Sequence, residues 1–284
     1  MMSEVTQIPL VTIAIPSYNH EQYIQDAIKS ALNQTYENIE LIIIDDGSTD
    51  DSVNKIKDLL TQCKDRFVRF EFRHRTNKGL CNTLNETLEW ANGEYFCTLA
   101  SDDLMLPEKV AIQIESFNKY PNAAAICGGF KAINEKNQIT STRVNPFKIY
   151  DFQTIFLHMF DLPASSQMIK TQILKEVKGF NPNTKVEDFD LWLKLSKLNK
   201  EIIYIPYLLI HYRLHDKNFS KNLDLMYSEI IKILNNHKED KNYSKALYRV
   251  QKIYKVRPIQ KKSPFKATIL RLKYYLTYIL SKAV

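Results

Sequence analysis

Residues 41–44, Leu-Ile-Ile-Ile, form an apolar run without a polar face, and Asp45 and Asp46 end it abruptly. A run of this kind is typical of a strand buried on both faces of a parallel sheet. Other strand-like runs alternate with helical patterns, and each gap has about the length of a βα crossover. The sequence therefore predicts an open, mostly parallel α/β sheet with helices on both sides.

The predicted elements are most regular before Gly128. The strands are expected at residues 10–15, 39–44, 67–72, 94–99 and 123–127, and the helices at 21–33, 51–63, 80–91 and 107–119. After Gly128 the periodicity weakens. There we expect helices at 151–160, 171–177 and 187–198, strands at 165–170, 202–205 and 207–212, and helices again from about residue 224.

Polar clusters follow three of the predicted strands, at the point where each strand ends. PSYNH follows the first strand, DDGSTDDS the second and ASDD the fourth. Ligands of open α/β sheets bind at the carboxyl ends of the strands. We therefore expect the three clusters to converge on one site.

The six glycines do not form a phosphate-binding loop. None of their spacings gives G-x-G-x-x-G or G-x-x-x-x-G-K-[ST]. A bound diphosphate would then need a metal bridge, and adjacent acids at a strand end suit Mg²⁺ or Mn²⁺. Asp102 and Asp103 are the candidates, with a helix cap as the alternative. DDGSTDDS is rich in turn-forming and capping residues, which accounts for Asp50 and Asp51 as acids in the first turn of a helix. Asp45 and Asp46 are less easily explained in this way, because they directly end the apolar run.

Composition indicates a protein with a sizeable core and its cellular compartment. A hydrophobic content of 44% is enough for a sizeable core. The four cysteines show no C-x-x-C spacing, which indicates free thiols in a reducing cytosol. There is no secretory signal, and no apolar run approaches the roughly 18 residues of a spanning helix. We therefore expect a cytoplasmic location.

The net charge of +7 is unevenly distributed. Residues 241–284 contain nine Lys, three Arg and no acid, so they carry +12 and the rest of the chain −5. Aromatic and aliphatic residues alternate with cations at 264–284, which is typical of a helix lying on an anionic membrane. A helix docked on the body of the protein or on a second subunit is the alternative. Without an accompanying motif, nucleic-acid binding is not expected.

Three blocks of the sequence, taken in order, resemble the family 2 glycosyltransferases. They are VTIAIPSYNHEQYIQDAIKSALNQTYENIELIIIDDGSTDDS, NKGLCNTLNETLEWANGEYFCTLASDDLMLPEKV and VEDFDLWLKL. The resemblance implies a GT-A fold over residues 1–220, with a nucleotide-sugar-binding half at 1–128 and an acceptor-binding half at 129–220. A basic helical extension would occupy 221–284.

The resemblance also implies roles on the donor side. Pro16 and Tyr18 would line the nucleobase pocket, and Asp46 would accept a hydrogen bond from the base. Asp102 would face the ribose, and Arg213 would pair with a phosphate. The full donor-binding set would be Pro16, Tyr18, Asp46, Asn77, Lys78, Gly79, Asp102 and Arg213, of which Asn77, Lys78 and Gly79 match the family's N-x-G turn.

The metal site is expected from the same resemblance. Asp103 would hold Mn²⁺ or Mg²⁺ on the diphosphate, and His215, in a segment similar to Y-R-x-H, would join it. Many members read L-D-S-D-D where this chain reads L-A-S-D-D. Ala100 thus removes one carboxylate, which would make Asp103 the more critical ligand.

On the acceptor side, Glu187 and Asp188 match the family's E-D motif. Asp188 would be the base that takes the proton of the acceptor hydroxyl, with Glu187 as the second choice. Spacing alone favours the alternative that both residues are acids in the first turn of a helix.

The resemblance thus implies an inverting, metal-dependent glycosyltransferase that uses a nucleotide diphosphate sugar, with UDP as the expected nucleotide. The acceptor would be a hydroxyl of a glycan or lipid-linked acceptor in surface polysaccharide synthesis. We also expect a peripheral position on the inner face of the cell membrane and leave a homo-oligomer open. The alternatives are a sugar nucleotidyltransferase, although PSYNHEQY lacks a phosphate loop, and a non-catalytic nucleotide-sugar-binding module, which Ala100 favours slightly.

Overall fold

The computed structural model describes residues 8–216 and 218–280. Within these residues, ten strands form one sheet. The strands are β1 Val11–Ser17, β2 Ile39–Asp45, β3 Arg69–His74, β4 Tyr95–Thr98, β5 Leu104–Met105, β6 Ala123–Ile133, β7 Ile139–Arg143, β8 Lys148–Tyr150, β9 Met168–Lys170 and β10 Glu201–Arg213.

The strand order is β3-β2-β1-β4-β9-β6-β10-β5, with β7 paired to β6 and β8 to β10. The pairs β3-β2, β2-β1, β1-β4 and β6-β10 are parallel. Strand β9 runs antiparallel between β4 and β6, and β5 is antiparallel to β10. The prediction of a mostly parallel α/β sheet is confirmed.

Helices cover both faces of the sheet. The helices are α1 Ile24–Leu32, α2 Ser52–Lys57, α3 Leu60–Arg66, α4 Leu80–Trp90, α5 Lys109–Lys119, α6 Phe152–Phe156, α7 Thr171–Glu176, α8 Glu187–Lys197, α9 Leu223–Asn235, α10 Tyr243–Gln251, α11 Arg257–Gln260 and α12 Pro264–Leu280, with 3₁₀ turns at Ala164–Ser166 and Phe219–Lys221 and a π-helical segment at Lys252–Val256. Among the helices described here, none is long and apolar enough to cross a membrane.

The apolar run of β2 is buried on both faces, as its sequence predicts. Leu41 and Ile43 belong to the core that includes α1, α3 and α5, whereas Ile42 and Ile44 belong to the core that includes α4, α7 and α8. Because both faces of the strand are covered, the four side chains of this run can all be apolar. Asp45 lies at the carboxyl end of the strand.

Several predicted elements differ from the structure. The helix expected at 151–160 ends at Phe156, and the strand expected at 165–170 is a 3₁₀ turn at Ala164–Ser166 followed by β9. The single helix expected at 51–63 is divided into α2 and α3 by a tight turn, in which the Leu59 N–H donates to Ile56 O at 3.0 Å. The two strands expected at 202–205 and 207–212 are one strand, β10, with a register shift between Ile205 and Leu208. Pro206 has no N–H for the ladder, so the strand bulges outward there and then resumes its pairing with β6.

The C-terminal helices differ in how they pack. Ile230 and Ile233 of α9, and Ala246 and Val250 of α10, are buried in the same core as α8. Helix α12 buries only Ala267. The first part of the basic extension therefore packs on the body of the protein, whereas α12 remains largely exposed.

Candidate active site

Hydrogen bonds connect the loops that follow β1, β2 and β4 at the carboxyl edge of the sheet. The Asn19 N–H donates to Ser48 Oγ at 2.8 Å, and the His20 N–H donates to Ser52 Oγ at 3.0 Å. The imidazole Nδ1 of His20 lies 2.7 Å from Ser101 Oγ. The three polar clusters therefore converge on one place, as their positions at strand ends predict.

His20, Asp102 and His215 form a group of metal-ligand type at this edge. One potential ligand atom from each lies within 4.8 Å of the other two. Asp102 Oδ2 is 2.8 Å from His215 Nε2. The ring of Tyr23 packs against both imidazoles, with centroid distances of 6.0 Å to His20 and 5.4 Å to His215. A carboxylate and two imidazoles, held in place by an aromatic ring, are thus available to one ion.

The surroundings of Asp102 favour its ionised form. Burial opposes ionisation, but the hydrogen bond from His215 and the charges of His20 and His215 outweigh it, so the pKa of Asp102 is lowered from its ordinary value. Asp102 therefore keeps a negative charge for a cation.

Asp103 has a different environment from its neighbour. Its side chain is buried, with Oδ1 accepting the Arg213 N–H at 2.8 Å and Oδ2 accepting the Ser165 hydroxyl. Burial and the adjacent charge of Asp102 raise the pKa of Asp103 well above its usual range. The structure thus differs from the expectation that Asp103 holds the metal and Asp102 the ribose, because the group of ligand type contains Asp102 and not Asp103.

Substitutions at Asp103 should therefore affect stability more than ligand binding. Asp103→Ala leaves the buried Arg213 N–H and the Ser165 hydroxyl without a partner, which costs about 1–3 kcal/mol of unfolding free energy. Asp103→Asn retains an acceptor for Arg213 and a donor for Ser165, so it should melt close to the wild type. Thermal unfolding of both variants measures the difference. Equal loss of stability in both would contradict this role.

The helix-cap interpretation of the acid pair is not supported. Helix α5 begins at Lys109, its N-cap residue is Glu108, and no side-chain hydrogen bond caps it. Asp102 and Asp103 precede the short strand β5 instead. Their side chains point to partners from β10 and the loop after it, not to the amino end of α5.

Arg213 is a buried structural residue, which differs from its expected phosphate contact. Its side chain is 1% exposed. The guanidinium donates to the backbone oxygens of Asp102 and Asn134 at 2.8 and 3.2 Å, to Asn137 Oδ1, and to Asp26 Oδ2 at 3.4 Å. All three guanidinium nitrogens therefore donate hydrogen bonds within the protein, and the bond to the Asp102 backbone oxygen holds the loop that contains Asp102.

Asp46 organises the turn of residues 77–79. Its Oδ1 and Oδ2 accept the backbone N–H groups of Lys78 and Gly79, both at 2.8 Å, and Arg75 forms an ion pair with it. Gly79 has φ +85°, a conformation that favours glycine. Asp46 thus uses both oxygens to shape the turn, whereas Lys78 and Asn77 remain exposed.

The other expected donor residues lie at the same edge. Pro16 is half-buried near the end of β1, and Tyr18 is exposed just beyond it. Asp45 makes a turn, with its carboxylate accepting the N–H and the hydroxyl of Ser48 at 2.9 and 2.6 Å. The turn interpretation therefore describes Asp45, while Pro16 and Tyr18 stay available to a nucleobase.

Glu187 and Asp188 form the first turn of α8. Asp188 Oδ1 accepts the N–H of Phe189 at 2.7 Å, and no cation among the described residues forms an ion pair with either acid. Burial raises the pKa of Asp188 to about 6, and burial together with the charge of Asp188 raises that of Glu187 to about 8. A carboxylate with a raised pKa and no cationic partner has the properties of a general base.

Tyr212 experiences the charges of both groups of acids. Burial raises its pKa, its hydrogen bond with Ser220 opposes the rise, and the charges of Asp103, Asp102 and Asp188 add to it. Tyr212 Oη lies 3.2 Å from Ser220 Oγ.

His20 is the functional candidate that sequence reasoning missed. A histidine without a recognisable ligand spacing received no assignment from the sequence. The available signal was its position in PSYNH, directly after a strand end that was expected to face the site. Only the folded chain shows it beside Asp102 and His215.

Comparisons with known proteins identify the family of this chain. Residues 12–178 match the model of glycosyl transferase family 2. An uncharacterized glycosyltransferase of Rickettsia typhi is 34% identical over 76% of this chain and 67% of its own length. A chondroitin synthase of Escherichia coli is 31% identical over 81% of this chain but only 32% of its own length. The chain thus spans about a third of the length of several curated relatives.

Solved structures show the same fold. S. aureus TarS 1–349, in complex with UDP-GlcNAc, superposes with a TM-score of 0.65 at 16% identity, over 95% of this chain and 80% of that one. The mannosyltransferase PcManGT of Pyrobaculum calidifontis, in complex with GDP-Man and Mn²⁺, gives 0.66 at 14% identity, over 98% and 87%. With the family model matched over more than half of its length, this chain is a GT-A glycosyltransferase that belongs to glycosyl transferase family 2.

Proposed function

We propose that this chain transfers a sugar, with inversion, from a nucleotide diphosphate donor to a hydroxyl of a glycan or lipid-linked acceptor. The observation that carries the proposal is the group His20, Asp102 and His215 at the carboxyl edge of the sheet, whose potential ligand atoms all lie within 4.8 Å of one another. UDP is the expected nucleotide. The UDP-GlcNAc complex of TarS supports this choice, and the GDP-Man complex of PcManGT makes GDP the second nucleotide to test.

The donor atoms at the site fit a divalent metal. Carboxylate and imidazole ligands together suit Mn²⁺ better than Mg²⁺, which prefers oxygen alone. We propose Asp102, His215 and His20 as ligands and give Asp103 the supporting role that its buried hydrogen bonds indicate. A bound ion would offset the negative charge that develops on the leaving diphosphate.

The chain itself supplies the base. In this proposal the acceptor hydroxyl oxygen attacks the anomeric carbon, and the bond from that carbon to the diphosphate oxygen breaks. The Asp188 carboxylate takes the hydroxyl proton, and the nucleoside diphosphate leaves with the electron pair of the broken bond. Glu187, protonated near neutral pH by burial beside Asp188, adds no second charge next to the base.

Slow donor hydrolysis tests the proposal without a known acceptor. In Mn²⁺, the protein should release UDP from UDP-GlcNAc or another UDP-sugar at a low rate, because water replaces the acceptor hydroxyl. Chelation should stop the release. The assay is UDP production over time, run in parallel with GDP-mannose. A protein that binds UDP in Mn²⁺ but releases none from any donor would be a binding module instead.

An open cleft next to Asp188 is our candidate for the acceptor. It has a volume of about 860 Å³ and lies between the segment from Asn218 to Leu225 and the C-terminal helices. Tyr254 is part of its wall, and its hydroxyl lies 3.2 Å from His158 Nε2. The His158 ring in turn packs edge-on against Phe189, the residue after Asp188, with centroids 5.3 Å apart. One wall of the cleft is thus close to the proposed base.

The chemistry of the cleft suits a neutral glycan. Two of its lysines form ion pairs with lining acids, Lys221 with Asp216 at 2.9 Å and Lys255 with Asp224 at 2.5 Å. Apolar and aromatic surfaces are provided by Phe219, Leu223, Tyr254, Pro258 and Ile259. Paired charges and flat apolar surfaces favour sugar rings over a strongly charged ligand.

A bulky side chain in the cleft should lower the rate of sugar transfer and leave the rate of donor hydrolysis unchanged. Leu223 lines the cleft and is 40% exposed. Leu223→Trp should reduce transfer to an accepted glycan by about 10- to 100-fold, because the acceptor hydroxyl is displaced from its reactive position. Donor hydrolysis should stay close to wild type. Ile139→Trp, at an exposed position outside the cleft, is the matched control, and equal loss in both variants would contradict the assignment.

A further inference from the structure

The outer surface of α12 carries a continuous apolar stripe that the rest of the described chain leaves uncovered. The residues recur at the three- and four-residue spacing of one helix face. They are Phe265, Ile269, Leu272, Leu276, Ile279 and Leu280, each at least 43% exposed. A stripe of this length on the surface indicates an interaction site.

The opposite face of α12 packs on the body of the protein. Ala267 is buried, and Tyr274 and Tyr278 are half-buried on the same side. The ring of Tyr278 stacks on Tyr248 of α10, with centroids 5.6 Å apart. The helix is therefore held by one face, and the apolar stripe on the other face is left for another surface.

Cations accompany the stripe. Lys266 and Lys273 are exposed on its flank, and Lys261 and Lys262 are exposed in the turn just before α12. The structure pairs none of these four with an acid among the residues it describes. Residues 241–284 contain no Asp or Glu at all, although Lys282, which contributes to the same charge, lies outside the described residues. The surface next to the stripe is thus uniformly positive.

We infer that α12 lies flat on an anionic phospholipid bilayer, with the stripe among the acyl chains and the lysines at the headgroups. Apolar burial and attraction to anionic lipid act together in such helices. A second copy of this chain fits less well, because two segments of +12 would repel each other. This surface would bind lipid whether or not the proposed sugar transfer is correct.

Vesicle flotation of the full chain tests the inference. The protein should float with phosphatidylcholine vesicles that contain about 30 mol% phosphatidylglycerol, and much less with phosphatidylcholine alone. Salt should weaken the binding. Lys266→Gln with Lys273→Gln should lower affinity by about fivefold per charge. Leu272→Glu with Leu276→Glu should lower it by at least about tenfold.

A control variant away from α12 and a check of folding show whether a loss of lipid binding is specific to α12. Ile139→Glu with Ile149→Glu alters two exposed isoleucines on β7 and β8 and should float like the wild type. Thermal unfolding of every variant checks that the body of the protein is folded. The inference is overturned if the protein does not float with anionic vesicles, or if it floats equally well with neutral vesicles. It is also overturned if the protein forms a dimer that the α12 substitutions disrupt.

Discussion

Replacing Asp188 with asparagine should reduce sugar transfer by about 10²- to 10⁴-fold, the usual contribution of a general base. Asparagine has nearly the same shape but cannot take the proton of the acceptor hydroxyl. Donor affinity should change little, because the groups proposed to hold the diphosphate are on other elements. The measurement is kcat for transfer, together with UDP affinity by calorimetry. Glu187→Gln is the matched control and should lose much less.

The pH profile distinguishes a base from a residue that only supports the fold. Burial raises the pKa of Asp188 to about 6, so the wild-type rate should rise with pH as this carboxyl loses its proton. The residual rate of Asp188→Asn should lack this rise. A variant with low activity but an unchanged pH profile would mean that Asp188 is not the base.

Stability should move in the opposite direction to activity. The pKa of Asp188 is higher in the folded chain than its ordinary value, so the protonated form stabilises the fold at low pH and this stabilisation is lost as pH rises through about 6. Asparagine, which has no charge to bury, should therefore unfold at or above the wild-type temperature near neutral pH. Loss of activity together with a lower melting temperature would point to misfolding instead.

Replacing Asp102 with asparagine should weaken UDP binding in Mn²⁺ by at least about 100-fold, because even groups that only orient a metal ligand contribute about 10- to 100-fold. The variant removes the single carboxylate from the group of Asp102, His20 and His215. Without metal, the wild type and the variant should bind UDP equally weakly. Calorimetry in both conditions gives the comparison.

Asp103→Asn is the matched partner of that variant, since it makes the same chemical change one residue along the chain. Because the Asp103 side chain faces Ser165 and the Arg213 N–H, its substitution should leave metal-dependent binding largely intact. If Asp103→Asn loses the metal dependence and Asp102→Asn keeps it, the ligand roles proposed here are reversed.

The sheet was predictable because its evidence is local. The run at 41–44 required cover on both faces, and the structure places Leu41 and Ile43 in one core and Ile42 and Ile44 in the other. The prediction of two strands in place of β10 was wrong because Pro206 interrupts the local pattern. The sequence does not show that pairing with β6 resumes beyond this proline. Likewise, the two-residue strand β5 was too short to have a period.

The sequence predicted where the site lies but not the role of each side chain in it. The positions of PSYNH, DDGSTDDS and ASDD at strand ends predicted their convergence, but not which side chain faces outward. Asp102 and Asp103 are adjacent in sequence, and their roles depend on partners from β10 and the loops around residues 165 and 215. The same long-range contacts make Arg213 a buried support, which no local pattern of Y-R-x-H reveals.

Titration of UDP into the wild-type protein, with and without Mn²⁺, measures whether nucleotide binding needs the ion. UDP should bind tightly only when Mn²⁺ is present, because Asp102, His20 and His215 would hold the ion that offsets the charge of the diphosphate, and the sequence offers no phosphate-binding loop in its place. Equal affinity for UDP in Mn²⁺ and in a chelator would contradict this expectation, since the nucleotide would then be held by groups other than those assigned here.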